Sequence, residues 1–182
     1  MASKLRVDSI LPVDGAPTNG GGGIIQVVST TKNDVSSNDD TTSASDWTGH
    51  GLSITITPKF STSKIFITGY VTIGLNYSET VWYKLFKGGS VLTDAIGDQL
   101  GSNRTRATGA MYMKGDEWAN AQLSIQYLDT AGSTSALTYA PALSISTTTT
   151  GRTLYVNRPP HTTDNANYAS YISTLTAMEI SA

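Results

Sequence analysis

Over most of its length the chain alternates apolar and polar residues with a period of two, and nowhere does it sustain the three-and-four spacing of an amphipathic helix. In "GLSITITP", Leu52, Ile54 and Ile56 fall on one face and Ser53, Thr55 and Thr57 on the other. Pro58, which lacks an N–H for the next ladder bond, closes that segment. "SKIFITGYVTIG" repeats the pattern with Ile65, Ile67, Val71 and Ile73 in one row. Gly69 shares that row, where a glycine marks a bulge or the close approach of another backbone. Only a sheet presents such a period to a core.

Further segments extend the reading. "TVWYKLFKGGSVLTDA" has the form of a hairpin, with Gly88-Gly89 supplying the positive φ values of a tight turn. "AQLSIQYLD" sets Leu123, Ile125 and Tyr127 against Gln122, Ser124 and Gln126. "LTYAPALSIS" and "GRTLYVNR" are shorter, and Pro141 predicts that the first is an edge strand or two broken pieces. "SYISTLTAMEIS" predicts a last strand with Ile172, Thr174, Thr176, Met178 and Ile180 in one row and Leu175 in the other, held inside a sheet so that the tail is tied down. The best helical candidate, "DEWANA" over Asp116 to Ala121, is barely more than a turn. The fold expected is all-β: about eight to ten strands in an antiparallel β-sandwich of jelly-roll type, or a barrel. "TTKNDVSSNDDTTSASDWTGHG" is expected as a long polar loop or partly ordered excursion between the first two main strands, and Pro159-Pro160 forces an extended loop at one end of the sandwich.

The stretch "GGGGIIQVV" divides the chain. Four glycines at Gly20, Gly21, Gly22 and Gly23 form its loosest joint, and Ile24 to Val28 behind them are β-branched and expected to be buried in a sheet. Three parts follow: an attachment segment over 1–19, a glycine hinge over 20–23 and a β-sandwich domain over 24–182.

Composition removes several functions. There is no cysteine, which excludes disulfides, thiolate zinc sites and cysteine nucleophiles. Net charge is -2 and charged residues make up 14% of the chain, while Ser and Thr together make up about a quarter. The basic residues come in pairs such as Lys84 and Lys87, or Arg104 and Arg106, and form no stripe that would hold nucleic acid. No apolar run approaches the ~20 residues of a membrane span, and "MASKLRVDSILPVDG" is no signal peptide, so we expect no membrane insertion.

Few residues offer chemistry. His50 lies between glycines and His161 follows a diproline, and both are expected as surface-loop histidines. Asp94 with Asp98, and Asp116 with Glu117, have the spacing of paired carboxylates but sit among turn residues, where aspartate is common. "GGGG" lacks the Lys-Ser/Thr of a phosphate-binding loop. The sequons at Asn76 and Asn103 are what a Ser/Thr-rich chain carries by chance. We therefore expect no enzyme, no metal and no cofactor. Trp47, Trp82 and Trp118 remain as aromatics for host contact or for an interface, Trp82 lying on the strand face opposite Val81, Tyr83 and Leu85.

Both ends of the chain carry motifs that recur together: "KLRVDSI" over Lys4 to Ile10, the glycine run, "GLSITITP" over Gly51 to Pro58, "SKI" over Ser63 to Ile65 and "MEI" over Met178 to Ile180. In that order they resemble virion structural proteins of tailed bacteriophages, especially cyanophages and other marine phages, of the tail fibre or fibre-like kind. The resemblance covers both ends and leaves about 79–167 without a counterpart. It implies a homotrimeric fibre in the phage particle, assembled in the bacterial host cytoplasm, with other virion proteins of the tail, baseplate or capsid as partners. Lys4, Leu5, Arg6, Val7, Ile10, Leu11, Pro12 and Val13 would then form the virion-attachment strand, adding to a sheet of a neighbour. The loops Asn33 to His50 and Asn157 to Asn167 would face the host surface and its glycans. Two alternatives share the fold: a capsid decoration or cement protein, and a carbohydrate-binding β-sandwich module.

Overall fold

A computed structural model of the chain describes residues 23–39, 48–116, 118–146, 151–161 and 163–181. The attachment residues Lys4 to Val13, the glycines Gly20 to Gly22, Trp47 and Glu117 lie outside the described residues.

Twelve strands are present among the described residues, packed as two antiparallel sheets. They are β1 (Ile24–Lys32), β2 (Ser36–Asp39), β3 (Thr48–Gly49), β4 (Ile54–Ile56), β5 (Lys64–Leu75), β6 (Glu79–Lys87), β7 (Ser90–Val91), β8 (Gly109–Met113), β9 (Asn120–Thr130), β10 (Leu137–Ile145), β11 (Thr153–Val156) and β12 (Ser173–Ile180). The first sheet runs β1-β12-β5-β9, with β11 and then β2 continuing on the far end of β5. The second runs β4-β10-β6-β8, with the short β3 beside β10 and β7 beside β6. The pairings nest: β1 with β12, β4 with β10, β5 with β9 and β6 with β8. A long antiparallel ribbon wrapped onto itself gives this order, which is that of a jelly roll.

The core lies between the sheets and follows the alternation. Ile65, Ile67, Val71, Ile73 and Leu75 of β5 meet Val81, Tyr83 and Leu85 of β6, Leu123 and Ile125 of β9, and Leu143 and Ile145 of β10. β12 lies inside its sheet as expected, between β1 and β5. Gly69 stands where β5 and β12 touch; a methyl group there would run into the Thr174 carbonyl oxygen. Gly88 and Gly89, at φ 58° and 82°, make the two-residue turn that pairs Lys87 with Ser90.

The expectations for the Pro141 segment and for the run Ile24 to Val28 are corrected. β10 is unbroken and central despite Pro141. Thr138 and Ser146 of this run bond to Gly88 and Thr80 on the β6 side, so odd-numbered β10 residues turn their backbone the other way. Pro141 therefore faces the gap between β4, which pairs residues 137–139, and β3, which pairs 142–143, and its missing N–H costs no ladder bond.

The row of β12 that enters the core is Ser173, Leu175, Ala177 and Glu179, and the apolar Met178 and Ile180 face outward. Glu179 is fully buried, and its Oε1 accepts the N–H groups of Lys59 at 2.8 Å and Phe60 at 3.2 Å, capping the turn after β4. The run Ile24 to Val28 does form a strand, but at a sheet edge, with Ile24 57% and Val27 55% exposed. Part of the long polar loop is also strand, β2 pairing with β11. Gly23 is tied to the domain, its carbonyl accepting the Ser181 N–H at 3.0 Å.

Candidate functional site

Two surfaces stand out, and the first is the outer face of the β1-β12-β5-β9 sheet. Register places Val27, Met178, Phe66 and Leu128 side by side across all four strands, with Ile24 and Ile180 in the adjoining row. Leu128 is 52% exposed, matching Val27 at the opposite edge, while Phe66, Met178 and Ile180 are half-buried. The rows beyond hold Ser29, Thr176, Thr68 and Gln126, then Thr31, Thr174, Tyr70 and Ser124. Lys64 is the one charged side chain in these rows; it sits at a corner, donating to Thr130 Oγ1 at 2.7 Å. An apolar row across a sheet face with so little charge is unusual on a surface that meets only water.

The second surface is the loop between β11 and β12. Asn157 ties both of its ends together: its backbone carbonyl accepts the Tyr171 N–H at 2.8 Å, and its Oδ1 accepts the Ser173 hydroxyl at 2.6 Å. Its Nδ2 donates to the carbonyls of Lys32 and Asp34, both at 2.9 Å. From this loop Tyr168 stacks on His161, centroids 4.4 Å apart, and on Trp118 of the β8–β9 turn at 4.6 Å. Trp118 is held by its N–H donating to Asp116 Oδ1 at 3.0 Å, and remains 47% exposed. A cleft of about 220 Å³ adjoins the stack, with Arg158, His161, Asp164, Asn165 and Tyr168 in its walls. Ring faces beside amide, carboxylate and guanidinium groups suit a polar ring with one apolar side, which is the character of a sugar.

The other singled-out residues fall elsewhere. Trp82 is half-buried on the outer face of the second sheet, between Ala110 and Ser144 on the neighbouring strands, and is not in the core. Asp98 and Asp116 accept local backbone N–H groups, the ordinary work of turn aspartates. Among the described residues no group of His, Asp or Glu side chains is arranged to hold a metal ion. Tyr168 was missed in the sequence, because the stack joins residues fifty apart along the chain and follows no period.

His50 is a correction. It is buried, with Nδ1 3.3 Å from Ser36 Oγ, and is not a surface-loop residue. Burial, and then the nearby Lys32 charge, lower its pKa to about 4. The unfolded chain takes up that proton at about pH 6.5 while the folded one resists it. The stability linked to His50 is therefore complete above pH 6.5 and is lost as pH falls toward 4, by up to about 1.4 kcal/mol per unit. Urea midpoints measured from pH 7 to pH 4.5 are expected to fall steeply in the native chain and to flatten in His50→Gln.

Comparison with known protein families and with curated protein sequences gives no match.

Proposed function

We propose that the chain is a structural component of a tailed-phage virion: the self-associating β-sandwich of a homotrimeric tail fibre, joined to other virion proteins through residues 1–19. The observation that supports it best is the outer face of the β1-β12-β5-β9 sheet, with its unbroken apolar row and a single charge at its corner. A surface almost without charge is complementary to itself: copies meet with no like-charge repulsion and little polar desolvation. Four strands about 4.8 Å apart and about 25 Å long give a flat footprint of about 500 Å².

The Trp118–Tyr168–His161 stack and its cleft support a second element, contact between the outer loops and a host-surface glycan. They equally favour the lone carbohydrate-binding module. Oligomeric state separates the two readings.

Light scattering on the full chain is expected to give a mass near three times 19.2 kDa, kept when residues 1–19 are removed. The truncated chain is expected to be lost from assembled particles. A monomer in both forms would overturn the fibre and leave the lone module. A trimer present in far more copies per particle than a tail fibre would instead identify a capsid cement protein.

A further inference from the structure

The loop between β7 and β8, residues 92–108, leaves and rejoins the sheet beside β6 and is braced at several points. The Leu92 N–H donates to the Leu85 carbonyl at 2.9 Å and the Thr108 N–H to that of Tyr83 at 2.8 Å, fastening both ends to β6. The Gly97 N–H donates to the Ala107 carbonyl at 3.1 Å, which joins the two arms. Arg106 Nε donates to the Gly97 carbonyl at 2.7 Å, and the Gln99 amide reaches the carbonyls of Gly101 and Arg104.

Between this loop and β6 is an open cleft of about 420 Å³. Three cationic side chains line it: Lys84 from the strand, and Arg104 and Arg106 from the loop. Among the described residues no carboxylate lines it, although Asp94 and Asp98 belong to the same loop. Neither arginine forms an ion pair with a described residue. Burial, and then the charge of Arg106, lower the affinity of Lys84 for its proton. Val91 and Ile96 add apolar wall, and Gln99, Thr93 and Thr105 add neutral hydrogen-bonding groups.

We propose that this cleft is a binding site for an acidic sugar, whose carboxylate, sulfate or phosphate group is held by Arg104, Arg106 and Lys84. Guanidinium groups take such oxyanions through paired hydrogen bonds that a neutral ligand cannot form. The cleft exceeds the needs of a bare ion, and its mixed apolar and hydroxyl walls match a pyranose ring. The three cations are confined to one cleft and do not continue as a stripe, so the geometry fits one charged group on a small body and not a nucleic-acid backbone. The site is separate from the Trp118 stack and does not rest on the virion assignment.

The test is calorimetric titration of the full chain with trigalacturonate, with the neutral galactose trimer, with inorganic phosphate and with a short single-stranded DNA. Trigalacturonate is expected to bind at least tenfold more tightly than any of the other three, and tenfold more weakly in 0.5 M salt than in 0.05 M. Arg104→Ala, which removes no hydrogen bond or ion pair to a described residue, is expected to weaken it at least fivefold, and Arg104→Lys to restore part of the loss. Arg104→Ala/Arg106→Ala should abolish it, and if that variant fails to fold, the single Arg104 variants and the salt series still decide. Equal affinity for the acidic and neutral trimers, no binding of trigalacturonate, or indifference to Arg104 would overturn the proposal. Phosphate binding as tightly as the sugar would reduce the cleft to an ion site, and preference for DNA would replace the ligand class; both overturn it.

Discussion

Replacing Val27 and Leu128 together by aspartate is expected to convert the associated protein to a folded monomer, with thermal stability lowered only by what association contributed. Both side chains are more than half exposed in the single chain, so the fold gives up little when they become polar. They stand at opposite edges of the same row, with Met178 and Phe66 between them, so aspartates at both ends put carboxylates into any contact that covers the row. Burying such a charge without a partner costs several kcal/mol, and each copy brings two. Light scattering is expected to fall from a mass near three chains to one, with the far-UV spectrum retained. Tyr112→Asp is the control, because Tyr112 is an equally bare apolar residue, 68% exposed, on the outer side of the other sheet. Its mass should not change. Dissociation by Tyr112→Asp as well would mean unspecific apolar association, and a double variant that keeps its mass would show that the interface lies elsewhere.

How the face became visible shows what the sequence holds and what it hides. Where a row is apolar and its neighbours are Ser, Thr or Gln, as at Ile54 and Ile56 of β4 or Leu123 and Ile125 of β9, the period of two alone gives strand, face and core. The turn at Gly88-Gly89 and the inner place of β12 are legible for equally local reasons. β1 and β12 mislead because their core rows carry polar residues that the fold satisfies: Glu179 caps the amides after β4, and the Ser173 hydroxyl bonds to Thr72 and Asn157. With Ser173 and Glu179 inward beside Leu175 and Ala177, the apolar Val27, Met178 and Ile180 are turned out, and hydrophobic patterning does not tell the two faces apart. Pro141 misleads for a related reason, since its cost depends on which neighbour its nitrogen faces, and only strand order reveals that. The aromatic stack and the basic cleft are assembled from segments distant in sequence or folded back on themselves, and no spacing announces either.

Asn157→Ala is expected to be among the most damaging single substitutions outside the apolar core, lowering stability by about 4 kcal/mol. Asn157 is fully buried and is the one residue other than glycine with a positive φ, 63°, among the described residues. Its side chain joins three elements: the end of β1 through Lys32, the turn before β2 through Asp34, and the start of β12 through Ser173. Alanine leaves the Lys32 and Asp34 carbonyls without that donor and the Ser173 hydroxyl without that acceptor, at roughly 1–3 kcal/mol for each group so stranded. It also places a methyl group in the left-handed region, adding about 1 kcal/mol. Asn157→Gly removes the same hydrogen bonds but accepts the backbone, so it should recover about 1 kcal/mol of the loss. In a domain of this size 4 kcal/mol lowers Tm by about 10 °C, which calorimetry reads directly. Because Asn157 closes the loop that carries Tyr168 and His161, the near-UV signal of the Trp118 stack should weaken in both variants below their Tm. A loss of under 1 kcal/mol in Asn157→Ala, with the stack signal intact, would show that the loop is held by its own packing and not by this residue.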